Sequence, residues 1–259
     1  MLLPKTRKKY LGQHFLMDKN FIEKIVNFLK LDPLDHFIEI GPGAGNLTIH
    51  LLEKLELLHV IEFDHEIIPL LKQNCNYSPK LKIYQEDVLK VDFGQFRSPF
   101  RIVGNLPYNI STPILFHLVR SNQMISDMHL MFQREVAERI VATPGSKVYG
   151  RLSVMMQYYF KTEMVLQVPP QVFSPPPKID SIFIRFIPKK LPALDNQLFG
   201  DIVRTAFTMR RKTLGNAVGR YITPSQLMTL GIDPKLRPEN LDIDAFMKIT
   251  KNVTKSVLF

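Results

Sequence analysis

Residues 37–45, Phe37-Ile38-Glu39-Ile40-Gly41-Pro42-Gly43-Ala44-Gly45, decide the fold. A run of strand formers passes straight into alternating glycines, the pattern of a strand that turns tightly and lets a ligand approach its backbone. A dinucleotide site uses Gly-x-Gly-x-x-Gly to cradle a pyrophosphate. Here the spacing is Gly-x-Gly-x-Gly behind the acidic Glu39, which favours S-adenosylmethionine, a cofactor with no phosphate to hold.

Outward from this stretch, β-rich runs at Leu58–Glu62, Leu81–Tyr84, Arg101–Gly104 and His129–Phe132 alternate with helix-like segments. Such alternation argues for a mostly parallel, doubly wound sheet. Met164–Val168 and Ser181–Ile187 read as a hairpin-like pair at the sheet edge, making about seven strands in all. The fold class expected is therefore α/β, a Rossmann-like class I methyltransferase. Asp18 is placed to N-cap a helix carrying Phe21, Ile22, Ile25, Val26 and Leu29. Pro188-Lys189-Lys190-Leu191-Pro192 reads as a linker. Beyond it, Leu198, Ile202, Val203, Phe207 and then Leu214, Val218, Tyr221 keep helical spacing. The expected domains are thus 1–190, opening with a basic leader over 1–16, and a small helical domain over 191–259.

The 259 residues include 34 Lys and Arg against 24 Asp and Glu, a net charge of +10, which points to a polyanionic partner such as nucleic acid. The single cysteine, Cys75, excludes an internal disulfide and suits a reducing compartment. No apolar run approaches the roughly 18 residues of a membrane span, so the protein is expected in the cytoplasm, with a monomer as the default. The seven histidines show no metal-ligand spacing, and no metal is expected.

Three further positions carry chemistry. Glu62 ends the strand after the glycine loop, where a carboxylate can accept both ribose hydroxyl protons. Asp87, in Glu86-Asp87-Val88, stands where it can accept from an adenine amino group. Gly104-Asn105-Leu106-Pro107-Tyr108-Asn109 ends the fourth strand, on the side where open α/β sheets hold ligands. An exocyclic adenine amine is a poor nucleophile because its lone pair is delocalised into the ring. If the Asn105 side-chain oxygen and the Leu106 carbonyl each accept one amine hydrogen, the nitrogen turns pyramidal and aims its lone pair at a methyl sulfonium. Pro107 stiffens the turn and brings no competing donor. Tyr108 offers a stacking face for an extruded base, worth roughly 1–3 kcal/mol, against an extrusion cost of a few kcal/mol. Phe173, before the triple proline Pro175-Pro176-Pro177, is a candidate to close the base's other face. Arg134, Lys147, Arg151, Lys178 and above all Arg210, Arg211 and Lys212 are the candidate phosphate contacts.

These residues resemble the KsgA-type small-subunit (16S) rRNA adenine N6,N6-dimethyltransferases along nearly the whole chain. The matching segments include Leu11-Gly12-Gln13-His14-Phe15-Leu16, Glu39–Gly45, Val60-Ile61-Glu62, Glu86-Asp87, Asn105–Pro113, Tyr149–Ser153, Phe173–Lys178, Arg210–Thr213 and Gly231–Pro234. The resemblance implies dimethylation of N6 on each of two adjacent adenosines in the 3′-terminal hairpin loop of small-subunit rRNA, within a pre-30S particle. It also implies cofactor contacts from His14, Leu16, Gly41, Gly43, Glu62, Asp87 and Asn105. The nearest rival is a large-subunit rRNA adenine methyltransferase, which tends to carry Ile where this chain has Leu106. A non-catalytic assembly factor is the rival from another class.

Overall fold

Residues 14–257 are described by the computed structural model, the side chains of 254–257 excepted. Lys5, Arg7, Lys8 and Lys9 of the expected leader lie outside them. Runs of β-branched and aromatic residues form β1 (Phe15–Leu16), β2 (Phe37–Ile40), β3 (Leu58–Glu62), β4 (Leu81–Gln85), β5 (Phe100–Asn105), β6 (Ile125–Gln133), β7 (Phe160–Val168), β8 (Phe173–Ser174) and β9 (Ser181–Pro188). The helices are α1 (Lys19–Leu29), α2 (Asn46–Leu52), α3 (Ile68–Asn74), α4 (Ser111–Val119), α5 (Arg134–Ile140), α6 (Arg151–Tyr159), α7 (Asn196–Thr208), α8 (Leu214–Ala217), α9 (Pro224–Thr229) and α10 (Ile243–Val257).

Seven strands form one sheet in the order β4-β3-β2-β5-β6-β9-β7. The pairs from β4 through β6 are parallel, and β6 pairs β9 antiparallel. The mostly parallel α/β sheet expected from the sequence is therefore present. β9 lies inside the sheet and β7 at its edge. Two strands are longer than their apolar runs suggested. In β6, Asp127 and His129 interrupt the hydrophobic pattern yet are buried, and in β7 Lys161 and Glu163 alternate outward as an edge strand allows.

The chain divides into two compact units, one of 1–137 with 163–188 and one of 138–162 with 189–259. Residues 138–162 group with the C-terminal helices. Aromatic contacts explain why: Tyr158 stacks on Phe199 at 4.0 Å, and the Tyr149 hydroxyl donates to the Leu241 carbonyl at 2.9 Å. The helical run expected through Tyr221 stops at Ala217, with Gly219 and Pro224 close behind.

Within the first unit the core joins Ile25 and Leu29 of α1 to Phe37, Leu58, Val60, Val103 and Phe183 of the sheet. Each such side chain contributes roughly 1.5–3 kcal/mol on burial. Asp18 caps α1 as expected, its carboxylate accepting from Phe21 N at 3.0 Å. At the amino end of β5, Arg101 donates two hydrogen bonds to the Asp127 carboxylate, at 2.8 and 3.0 Å, and one to Asp35 at 2.7 Å. Burial beside this cluster pushes His129 down to about 4, so its ring stays neutral.

Candidate active site

β2 is the point where the sheet's winding reverses, with β3 on one side and β5 on the other, and ligands of open α/β sheets bind at the carboxyl ends there. Register brings the pieces level: Ile40 pairs with Ile61 and with Gly104, so Gly41, Glu62 and Asn105 leave the sheet side by side. A cavity of about 290 Å³ opens over these ends. Its walls include His14, Leu16, Gly41, Gly43, Glu62, Asp87, Asn105, Leu106, Pro107 and Tyr108.

The glycine loop fits under this space because Gly43 adopts φ +56°, and a Cβ there would sit 2.8 Å from the Phe15 ring. Glu62 is buried, and its two carboxylate oxygens accept from Gly43 N at 3.1 Å and Asp64 N at 2.9 Å. Burial pushes its carboxyl upward, opposed by those amide bonds. Each oxygen keeps a second lone pair for a ligand hydroxyl. Behind the loop, Glu39 accepts from Thr48 Oγ1 at 2.7 Å and is pushed up by burial to about 8, so it is held largely as the neutral acid. Asp87 uses one oxygen to cap Leu89 N at 3.0 Å and stands half-exposed at the cavity edge.

Asn105 is oriented from outside its own strand. Its Nδ2 donates to the His14 carbonyl at 2.8 Å. A carbonyl can only accept, so the amide nitrogen must face His14, which turns Oδ1 the other way as an acceptor. The His14 ring lies on Tyr108 with centroids 5.4 Å apart, and its Nδ1 donates to the Pro175 carbonyl at 2.7 Å. The Tyr108 hydroxyl meets Ser181 Oγ at 2.6 Å, and burial pushes its phenol upward.

Three expected residues have partners that the sequence reading did not foresee. Phe173 does not reach the cavity: it is 3% exposed and packs in the core, its backbone paired with Leu16 in the β1–β8 ribbon. Arg134 is engaged by Asp180 at 2.5 Å. Arg210 ends on the Glu239 carboxylate and on the Lys147 carbonyl, so it staples its own unit together. Lys147, Arg151, Lys178, Arg211 and Lys212 are exposed. The sequence reading missed Phe63, 62% exposed on the cavity wall directly after Glu62. It also missed Ser181. Among the described residues no group of three or more His, Cys, Asp or Glu could hold a metal ion, and no helix is long and apolar enough to cross a membrane.

A glycine-lined cavity at the switch point of a parallel sheet, with a buried ribose-type carboxylate and a strand-end Asn-Leu-Pro-Tyr turn, defines a class I S-adenosylmethionine-dependent methyltransferase acting on an amine. The chain belongs to the family described as ribosomal RNA adenine dimethylase, whose sequence profile matches residues 4–255. It is 48% identical to the ribosomal RNA small subunit methyltransferase A of Methylobacillus flagellatus, over 93% of this chain and 96% of that one. With the protein of the same name from Pseudomonas syringae pv. syringae it shares 42%, over 98% and 97%. Among solved structures, a dimethyladenosine transferase from Plasmodium falciparum superposes with a TM-score of 0.82 at 30% identity, covering 94% of this chain and 98% of its own. The 23S rRNA methyltransferase ErmE has the same fold, with a TM-score of 0.72 at 23% identity, over 93% and 99%.

Proposed function

We propose that the protein transfers two methyl groups from S-adenosylmethionine to N6 of each of two adjacent adenosines in the 3′-terminal hairpin loop of small-subunit rRNA. It does so as a monomer in the cytoplasm, on a pre-30S particle. The observation that carries this reading is the level placement of Glu62 and Asn105 in one cavity, with Asn105 Oδ1 turned free to accept. The names of the bacterial relatives support the small-subunit substrate.

When bound, S-adenosylmethionine supplies a methyl group on a sulfonium, an electrophile that needs no metal. Glu62 would hold the ribose hydroxyls, Asp87 would accept from the cofactor's adenine amine, and Phe63 would offer that adenine a stacking face. Gly41 and Gly43 would leave room for the methionine end, with His14 and Leu16 as the facing wall. Asn105 Oδ1 and the Leu106 carbonyl take the two hydrogens of the target amine and expose its lone pair, while Tyr108 stacks on the extruded base. The proton departs to water after transfer. Once one methyl is attached a single N–H remains, so one acceptor suffices for the second transfer. Lys178 of the first unit and Lys147, Arg151, Arg211 and Lys212 of the second contact phosphates, setting affinity rather than base choice.

The test supplies labelled S-adenosylmethionine with small subunits lacking the modification, and with large subunits and duplex DNA as controls. Four methyl groups per small subunit, located by mass spectrometry, is the expected result. Label confined to large-subunit RNA would overturn the substrate.

A further inference from the structure

We propose that Ser181 is a positioning residue for methyl transfer, holding the Tyr108 hydroxyl so that the ring's pitch is fixed before the target base arrives. The inference rests on the reading of Tyr108 as the stacking platform. A tyrosine on a turn can swing about two side-chain torsions, and a swinging platform would present the extruded base at varying angles to Asn105. Two contacts remove that freedom. The His14 ring, 28° from coplanar with Tyr108, restrains its plane. A stack resists tilting but permits sliding, so a second restraint at the ring's far end is needed, and the 2.6 Å bond to Ser181 Oγ supplies it.

Ser181 is suited to be the fixed partner. It is fully buried, starts β9, and pairs with Gln133 at the end of β6, inside the β7 edge strand. The preceding residue is clamped on three sides: the Asp180 carbonyl accepts from Arg134 N at 3.0 Å, and its carboxylate accepts from Arg134 Nη2 at 2.5 Å and Gln167 Nε2 at 2.7 Å. The anchor is therefore tied to β6, β7 and β9 together, whereas Tyr108 belongs to the turn after β5. Ser111 Oγ, donating to the Tyr108 carbonyl at 3.2 Å, holds the backbone but leaves the ring to Ser181 and His14. A hydroxyl on this ring has no role in stacking itself, and its use as a tether explains why tyrosine stands here rather than phenylalanine.

The experiment compares Ser181→Ala, Tyr108→Phe, the double variant, Ser181→Thr and Tyr108→Ala, measuring kcat and KM on unmodified small subunits, calorimetric affinity for S-adenosylmethionine, and melting temperature. Ser181→Ala and Tyr108→Phe are each expected to lower kcat about fivefold to tenfold, the effect of one neutral hydrogen bond. KM and cofactor affinity stay as they were. The double variant is expected to be no slower than either single one, and Ser181→Thr to restore the rate. Multiplying effects in the double variant, or full kcat in Tyr108→Phe, would overturn the inference. Tyr108→Phe decides the matter even if Ser181→Ala fails to fold. Full activity of Tyr108→Ala would instead bring down the platform reading itself.

Discussion

Replacing Gly104 by alanine tests how closely the cofactor loop and the acceptor turn share one scaffold. A Cβ on Gly104 would sit 2.8 Å from the Ile40 carbonyl oxygen and 3.0 Å from Leu106 Cδ2. The first neighbour is backbone on the adjacent parallel strand and cannot rotate away. Reaching ordinary contact therefore requires β2 and β5 to part by about 0.6 Å. Ile40 leads into Gly41 and Gly104 into Asn105, so the same displacement moves the methyl donor's cradle away from the amine's acceptor. With a misplacement of 1 Å costing about a hundredfold in rate, single-turnover methylation should fall on the order of tenfold. Overpacking costs about 1–3 kcal/mol, well below the roughly 5–15 kcal/mol that holds a domain, so the variant still folds. Rapid-quench measurement of methyl incorporation, paired with a melting curve, reads both effects. A lowered melting temperature with an unchanged transfer rate would refute the claim that the strand spacing sets the reaction geometry.

Further outcomes are expected. Asn105→Ala should abolish turnover while cofactor and RNA still bind, as equilibrium binding alongside the methylation assay would register. Glu39 is neutral in the folded state up to about pH 8 but ionises near 4.5 when unfolded, so its contribution to stability is full below 4.5 and is lost as pH rises toward 8. The melting temperature of Glu39→Gln relative to the parent should accordingly climb across that window, and a constant difference would contradict it. Arg101→Ala leaves Asp127 buried without its principal partner and should cost about 3–5 kcal/mol in a denaturant titration. Because Arg101 lies four residues, roughly 13 Å, from Asn105 along β5, the surviving protein should keep its transfer rate. Neutralising the exposed Arg211 and Lys212 should lower the slope of log affinity against log salt by about one to two; Arg210→Ala should instead lower the melting temperature by loosening its tie to Glu239.

The parts of the site that were legible in sequence are those where one strand end and its loop carry the whole signal. The Phe37–Gly45 run, Glu62 at the close of β3 and the Asn105–Tyr108 turn each declare their position through local pattern alone, and parallel register then aligns them. What escaped depends on contacts far apart in the chain. Phe173 reads as a loop aromatic, yet a two-residue pairing with β1 folds it inward, and no periodicity can reveal a ribbon so short. Arg210 looks like part of a phosphate grip because its neighbours are basic, while Glu239, its partner, sits in another segment. Asp127 stops the apolar run that begins at His129, and its burial inside β6 depends on Arg101, a partner on another strand. The membership of residues 138–162 follows from Tyr149 and Tyr158 finding Leu241 and Phe199, a choice made by packing rather than by composition.

The pairing of Phe15 with Ser174 and of Leu16 with Phe173 sets a timetable for biosynthesis. His14, whose carbonyl orients Asn105, is made well ahead of the strand that anchors its neighbours, which emerges some 160 residues later, a separation at which loop closure is slow. A nascent chain shorter than that holds the glycine loop and the acceptor turn without the wall that aligns them. Competence is thus delayed until β8 has been made, and translation products that stop before it carry the motif without the means to use it.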